Sequence, residues 1–231
     1  MRHALLSDSR PRPLEFYLAM EEYIAENIGE DVFFLWQTGP TVIFGRNQIA
    51  EAEVNLPYCA ERGIRVVQRK SGGGCVYSDE GNIMLSYITR DTGVEKVFAR
   101  YLDMVCKALN DLGLPAVSSS HNDILVGGSK VSGNAFFVLP NASIVHGTML
   151  YNTDFTELAK AITPSQSKLA KHGVQSVRQR VGNLRDLGLT LSVEDFKTSL
   201  IERFCDSELV LGQEDIAQIE RIAQQYHIII P

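Results

Sequence analysis

The feature that most limits the possible folds is a run of short β-rich segments from residue 116 to residue 151. Gly127-Gly128 and Pro140-Asn141 interrupt this run, and such pairs are typical of tight turns between antiparallel strands. Helical patterns stand before and after the run rather than alternating with single strands. Because a doubly wound parallel domain needs that alternation, the pattern predicts an α+β fold with a mixed, largely antiparallel sheet flanked by helices.

Apolar periodicity and glycine or proline punctuation place the other elements. A helix begins after Pro13 and ends at Gly29, and a turn at Gly39 and Pro40 joins two strands. The remaining predicted helices cover 56–62, 94–112, 155–161, 192–204 and 213–226, and the predicted strands cover 32–36, 41–44, 64–68 and 82–88.

Composition excludes several classes of partner. With 22 Lys plus Arg against 28 Asp plus Glu, the net charge of -6 is opposite to what nucleic acid or an anionic membrane attracts. No segment approaches the roughly 20 apolar residues of a membrane helix, and the N-terminus lacks the apolar core of a signal peptide. The four cysteines lie far apart, without the spacing of a zinc site or a disulfide framework. We therefore expect a cytoplasmic protein with no nucleic-acid or membrane partner.

Three consecutive glycines interrupt strand signals in RKSGGGCVYSDEGN, residues 69–82. Glycine lets main-chain N–H groups approach a phosphate or carboxylate, and Arg69 adds a planar donor fork that a phosphate can accept bidentately. A tight or bulged hairpin with a salt-bridging arginine is the simpler alternative for a lone glycine triplet. The segment does not have the spacing of a Walker A loop.

A second glycine-rich segment, residues 121–136, predicts a hairpin that turns at its Gly-Gly pair. In that register Asp123 faces Ser132 and lies diagonal to Lys130 on the same face, about 7 to 8 Å away. A carboxylate there could hold Mg²⁺ on a polyphosphate while the ammonium neutralises the reacting oxygens. The alternative is a surface ion pair, which is common and contributes little to stability.

Taken together, four ordered blocks resemble the lipoate-protein ligase family. They are RKSGGGCVYSD at 69–79, Asn122-Asp123 followed by KVSG at 130–133, HGTML at 146–150 and KLAKHGVQSVRQRVGNL at 168–184. Biotin-protein ligases share this fold, but their glycine motif carries extra arginines that this chain lacks. The resemblance implies one class II synthetase-like catalytic domain over residues 1–231, with a helical tail from about 190 to 231.

The resemblance also implies a reaction in two steps, with lipoate as the substrate and with ATP and Mg²⁺ required. Lipoate and ATP would give lipoyl-AMP and pyrophosphate, and a lysine amine of an acceptor domain would then displace AMP. The implied acceptors are lipoyl domains of 2-oxo acid dehydrogenase complexes or the glycine cleavage H protein.

The roles of the family's residues pass to the positions that match its motifs. Lys130 is the implied catalytic residue, because its charge would stabilise negative charge on the acyl carbonyl and the α-phosphate. Asp123 is the implied Mg²⁺ ligand. For Trp36 and His146, packing in the core stays an open alternative. The implied ATP and lipoyl-AMP contacts are Arg69, Gly73, Gly74, Cys75, Val76, Tyr77, Asn122, Asp123 and Lys130; the implied lipoate contacts are Trp36, Arg69, Ser71, Gly74, Lys130 and His146.

Two departures from the family pattern and two rival functions complete the expectations. Ser78 stands where many members have histidine. The small C-terminal accessory domain of many bacterial ligases is expected to be absent after Pro231, so a separate accessory protein could serve adenylation.

The main rival is an octanoyltransferase, which needs no ATP and carries the acyl group on a cysteine as a thioester. In one branch of these enzymes the cysteine lies shortly before the lysine hairpin, and the corresponding residues 118–123 contain no cysteine. Cys75 does lie in the glycine loop. A relative that only binds lipoate or lipoyl-AMP is the third possibility.

Overall fold

The computed structural model describes residues 1–119, 122–162 and 181–230. Its strands are β1 Arg2–Leu6, β2 Val32–Trp36, β3 Thr41–Phe44, β4 Arg65–Gln68, β5 Val76–Ser78, β6 Asn82–Thr89, β7 Ala116–Ser118, β8 Asp123–Val126, β9 Ser129–Leu139, β10 Ala142–Leu150, β11 Ser207–Leu211 and β12 Ile228–Ile230. Within the described ranges, eight strands form a large sheet in the order β11-β1-β2-β6-β10-β9-β8-β7. The other four form a small sheet in the order β12-β4-β3-β5.

The helices coincide closely with the apolar periods of the sequence. The third helix shows why: Asn55 caps its first turn by accepting from Tyr58 N, and Gly63 ends it in the left-handed conformation at φ 63°. The helices are α1 Leu14–Asn27, α2 Ala50–Glu53, α3 Leu56–Arg62, α4 Val94–Asp111, α5 Phe155–Ala161, α6 Val193–Phe204 and α7 Gln213–Ala223.

Strand pairing in the large sheet is mainly antiparallel. Among the described strands, parallel pairs are limited to β1 with β2, β1 with β11 and β3 with β4. The run from β6 through β10, β9 and β8 to β7 is antiparallel throughout, as its turn signals predict. The predicted α+β fold, with a mixed and largely antiparallel sheet flanked by helices, is confirmed.

One expectation about connectivity needs correction, and one predicted connection has a feature that the sequence did not show. The segment after residue 190 is not purely helical, because β11 pairs with β1 at one edge of the large sheet and β12 pairs with β4 in the small sheet. The turn at Gly39 and Pro40 does connect β2 to β3, but these strands belong to different sheets. In both cases the partner strand lies elsewhere along the chain, which a local pattern does not reveal.

Both faces of the large sheet are covered, so successive residues of a central strand enter different cores. On β2, Phe33 packs with the cluster that includes α4 and α6, whereas Phe34 and Trp36 pack with the cluster that includes α1 and α7. A third cluster joins the small sheet to α3 and α5. Helix α1 is therefore enclosed, and Glu15, Glu21 and Glu22 are buried along with its apolar residues. Among the helices of the described residues, none is long and apolar enough to cross a membrane.

Candidate functional site

Arg69 organises the glycine loop, which we define as residues 69–79 after β4. Its guanidinium is buried and donates Nη2 to the carbonyl oxygens of Gly72 and Gly74, at 2.7 Å each, and Nε to Ser71 Oγ at 3.0 Å. Burial lowers the pKa of Arg69 to about 10. The structure thus corrects the expectation of a donor fork held out toward phosphate, because the guanidinium donates to the loop and, through Nη1, to Ile43 O of β3 at 3.2 Å.

Bare backbone is required in this loop, as the glycine triplet predicts. Gly73 has φ +94°, a conformation that side chains disfavour, and a Cβ there would lie 2.9 Å from Arg69 Nη2. A Cβ on Gly45 would come within 2.6 Å of Gly73 O. Gly72, by contrast, has no atom within 4 Å of such a Cβ. The need for glycine is therefore confined to particular positions and comes from the packing of the loop around Arg69.

The lysine hairpin, formed by β8 and β9, has the predicted turn but a different register beyond Leu125. A bulge makes Asp123 face Gly133 instead of Ser132. Lys130 Nζ and Asp123 Oδ1 lie 2.8 Å apart in an ion pair, which leaves no space for a ligand between these two charged groups. The predicted pairing of Asp123 with Ser132 is wrong.

Small residues give Lys130 its position. A Cβ on Gly133 would lie 2.9 Å from Lys130 Nζ, so glycine leaves the space that the ammonium occupies. Asn122, at φ 65°, stands before β8 and its carbonyl oxygen accepts from Asn134 Nδ2 at 2.9 Å. Asn122 is exposed, and its contact with the rest of the hairpin is through the backbone.

A cavity of about 190 Å³ lies between the glycine loop and the lysine hairpin. Lys130 supplies a charged group to a wall that is largely apolar, while Gly73 and Gly74 are exposed at the preceding part of the loop. The structure thus brings the second half of the glycine motif together with the lysine, although 52 or more residues separate them in sequence. The lining residues are Glu53, Cys75, Val76, Tyr77, Lys130, Gly133, Thr148, Leu150, Leu158, Ile162 and Val181.

Of the six residues implied in lipoate binding, five do not line this cavity. Gly74 is exposed, and the other four, Trp36, Arg69, Ser71 and His146, are buried. Trp36 stacks on Tyr17 with ring centroids 4.8 Å apart, as the core-packing alternative expects. Ser71 Oγ lies 2.7 Å from His146 Nε2, so the glycine loop and β10 are in direct contact.

Sequence reasoning missed two polar residues that connect this group. Glu21 of α1 lies 2.8 Å from His146 Nδ1, and Ser86 of β6 accepts a hydrogen bond from Trp36 Nε1 at 2.9 Å and donates to Glu21. Each stands among mostly apolar residues in a buried element, and a polar residue at such a position is the only signal that the sequence offers.

Ser78 and the fourth sequence block, residues 168–184, are the two remaining features of the resemblance. Ser78, at the position of the family's histidine, is fully buried in β5 and accepts from Asn82 Nδ2 at 3.0 Å. The fourth block, 168–184, falls mostly outside the described residues. Its described end contacts the lysine hairpin, because Gly182 N donates to Lys130 O at 2.9 Å.

The fold, the glycine loop and the lysine that lines the cavity define an α+β domain with a candidate catalytic site. Residues 13–205 match the sequence model of the protein family described as the lipoyl protein ligase A/B catalytic domain. The chain therefore belongs to the lipoyl protein ligase A/B catalytic domain family. Lipoate-protein ligase 1 of Staphylococcus aureus is 38% identical over 214 residues, covering 89% of this chain and 65% of the relative. The chain thus spans somewhat less than two thirds of that relative's length.

Solved structures agree with this assignment. A bi-partite lipoate protein ligase of Thermoplasma acidophilum, described with its E2 lipoyl domain, has a TM-score of 0.84 and 26% identity over 97% of this chain and 92% of that chain. A putative lipoate protein ligase from the same organism with bound lipoic acid has a TM-score of 0.83, also at 26% identity, covering 97% and 95%. A lipoate-protein ligase A bound with ATP has a TM-score of 0.82 at 26% identity, covering 97% and 95%.

Proposed function

We propose that this chain activates lipoate with ATP to lipoyl-AMP and transfers the lipoyl group to a lysine of an acceptor lipoyl domain. The observation that carries the proposal is the cavity in which Lys130 stands opposite the second half of the glycine loop. The similarity to ligases described with lipoic acid or ATP bound supports the choice of substrates.

The chemistry of this proposal needs a fixed positive charge more than it needs a protein nucleophile. A lipoate carboxylate oxygen attacks the α-phosphorus, and the bond to the pyrophosphate leaving group breaks. The acceptor amine then attacks the acyl carbon, loses a proton, and AMP leaves. Negative charge develops on the phosphoryl oxygens in the first step and on the acyl oxygen in the second, where the Lys130 ammonium would stabilise it. Binding both reactants in one cavity would contribute their orientation.

Mg²⁺ is part of the proposal through Asp123. Among the described residues, no cluster of three or more His, Cys, Asp or Glu side chains could hold a metal alone. One carboxylate is nevertheless sufficient for Mg²⁺ when phosphate oxygens and water complete the octahedron. Asp123 Oδ1 contacts Lys130, which leaves its second oxygen for such a role. When bound, Mg²⁺ would offset the charge of the polyphosphate.

The acceptor and a possible accessory protein are the finer parts of the proposal. We infer a lipoyl domain as the acceptor, of a 2-oxo acid dehydrogenase complex or the H protein, because a similar ligase is described with its E2 lipoyl domain. That ligase is bi-partite and matches this chain over 97% of its length, which supports a requirement for an accessory protein in adenylation. We place the reaction in the cytoplasm, following the spacing of the cysteines.

The direct test is an incubation with lipoate, Mg-ATP and a purified lipoyl domain, followed by intact mass measurement. We expect a lipoyl adduct that requires ATP and Mg²⁺ and disappears when the acceptor lysine is replaced by arginine. A parallel sample receives synthetic lipoyl-AMP in place of lipoate and ATP. Modification in this sample alone would support the accessory-protein requirement, whereas no modification in either would favour a relative that only binds lipoate or lipoyl-AMP.

One observation keeps the octanoyltransferase alternative open: Cys75 lines the same cavity as Lys130. A transferase would carry the acyl group on a cysteine as a thioester and need no ATP. Burial raises the pKa of Cys59 and Cys205 to about 11, so these thiols are poor nucleophiles near neutral pH.

We expect no covalent octanoyl adduct when the protein is mixed with octanoylated carrier protein, because the ligase reaction does not pass through an enzyme thioester. Peptide mapping by mass spectrometry makes the measurement, with Cys75→Ser as the control. An adduct on Cys75 that is lost in the control, together with ATP-independent modification of the acceptor, would establish the transferase instead.

A further inference from the structure

A buried hydrogen-bond chain connects helix α1 to the glycine loop. Arg69 Nε donates to Ser71 Oγ at 3.0 Å, Ser71 Oγ lies 2.7 Å from His146 Nε2, and His146 Nδ1 lies 2.8 Å from Glu21 Oε2. All four residues are buried, and Glu21 is only 2% exposed. The chain reaches the loop backbone because Arg69 also donates to two carbonyl oxygens of the glycine triplet.

A second arm reaches the same carboxylate from the large sheet. Trp36 Nε1 donates to Ser86 Oγ at 2.9 Å, and Ser86 Oγ donates to Glu21 Oε1. Glu21 therefore accepts one hydrogen bond on each of its two oxygens. A glutamine could accept on only one of them, so an acid at this position fixes the direction of both arms.

The direction of the first arm follows from the carboxylate at its end. A carboxylate can only accept, so in the contact with Glu21 the proton lies on His146 Nδ1. Nε2 of the neutral ring is then an acceptor, and the Ser71 hydroxyl, which accepts from Arg69 Nε, donates its own proton to it. Every polar atom along this arm has a partner of the correct type, and such fully satisfied buried networks hold one arrangement more firmly than any single bond.

We infer that Glu21 is a positioning residue for the glycine loop: through His146 and Ser71 it holds Arg69 in the orientation that fixes the loop carbonyls. Glu21 does not line the cavity, so it has no contact there with a reacting group. The expected effect of Glu21 on the rate rests on the proposed function, whereas its effect on the loop does not. The sequence motifs of the family include Arg69, Ser71 and His146 but leave out this helix.

The first test measures the loop without any ligand. Amide hydrogen exchange of peptides covering 69–79 is compared in the wild type, Glu21→Gln and Glu15→Gln by mass spectrometry. Glu15 is the matched control, since it is a buried acid of the same helix whose partner is Arg65, at 2.9 Å. We expect exchange in the loop to rise about tenfold in Glu21→Gln, the ratio expected when a bond of a charged group is lost. No rise there in a folded Glu21→Gln protein overturns the inference, whatever the activity.

Nitrogen-15 NMR of the histidine rings tests the direction of the chain in the wild type, so it does not depend on the variants folding. His146 is assigned by comparison with His146→Gln. A proton on Nδ1 and none on Nε2 is expected. The opposite tautomer would contradict the relay from Ser71 to Glu21.

A double-mutant cycle separates positioning from general destabilisation. If Glu21 acts through Ser71, Glu21→Gln should lower kcat for lipoyl-AMP formation about tenfold in the wild type but change it little in a Ser71→Ala background. Glu15→Gln should leave kcat unchanged. Equal effects of Glu21→Gln in both backgrounds would overturn the inference. Inactive wild-type protein would instead count against the proposed function, and the exchange and NMR measurements would still decide the role of Glu21.

Discussion

Replacing Lys130 by alanine should slow lipoylation by about 30-fold to 1000-fold, which corresponds to a loss of about 2 to 4 kcal/mol of transition-state stabilisation. The ammonium stands on the wall of the cavity, and its charge would be needed in both half-reactions. The same change should hardly affect folding. Lys130 and Asp123 are partly exposed, at 36% and 24% of their side chains, and such a pair contributes at most about 1 kcal/mol.

The measurement is the rate of pyrophosphate release from lipoate and ATP, beside acceptor modification from synthetic lipoyl-AMP, with urea unfolding to follow stability. Lys96→Ala is the matched control, because Lys96 also pairs with an aspartate, Asp91, at 3.1 Å, but does not line the cavity. Lys130→Arg retains charge in a different shape and should recover part of the rate. Near-normal turnover of a folded Lys130→Ala protein would remove Lys130 from the proposed chemistry.

Elements with strong local signals could be predicted from the sequence. The hairpin turn at Gly127 and Gly128 is observed, with positive φ at both residues, because their conformation is dictated by the turn itself. The register two residues further on could not be predicted, since it depends on a bulge between Ile124 and Leu125 that no turn signal encodes. One bulge was enough to change the residue that Asp123 faces from Ser132 to Gly133.

The environment of helix α1 shows a second limit. Its apolar periodicity correctly located a helix, but that pattern does not show that Glu15, Glu21 and Glu22 are buried. They are buried because α1 is covered on more than one side, and each meets a partner distant in sequence: Glu15 meets Arg65 of β4, Glu21 meets His146 of β10 and Glu22 meets Lys70. A buried acid is tolerated only with such partners, and those come from the tertiary fold.

The sequence predicted which motifs form the candidate site but not what each side chain contacts there. The glycine and lysine motifs do meet at one cavity, because β5 and the hairpin bring them together from different sheets. The role expected of Arg69 changed, since local sequence shows a guanidinium beside glycines but not which carbonyl oxygens it will contact. Arg69 holds the loop from within, and this makes the conformation of the glycines a measurable quantity.

Gly73→Ala should lower the free energy of unfolding by about 2 to 4 kcal/mol and abolish most lipoyl-AMP formation, because strain and lost hydrogen bonds act together. Alanine would be forced to φ +94°, and its Cβ would lie 2.9 Å from the Arg69 nitrogen that donates to Gly72 O and Gly74 O. The guanidinium cannot move away without breaking those bonds.

Gly72→Ala is the control that the loop itself offers. No atom lies within 4 Å of the added Cβ and the backbone is not left-handed there, so alanine should leave stability unchanged or raise it by up to about 1 kcal/mol through the unfolded state. Urea unfolding of both variants gives the comparison, and pyrophosphate release from Gly73→Ala gives the rate. The same added methyl group should thus destabilise the protein at Gly73 but not at Gly72. Equal stabilities of the two variants would mean that the loop relaxes around a side chain at position 73. The hydrogen bonds from Arg69 to the loop carbonyls would then not explain why this position requires glycine.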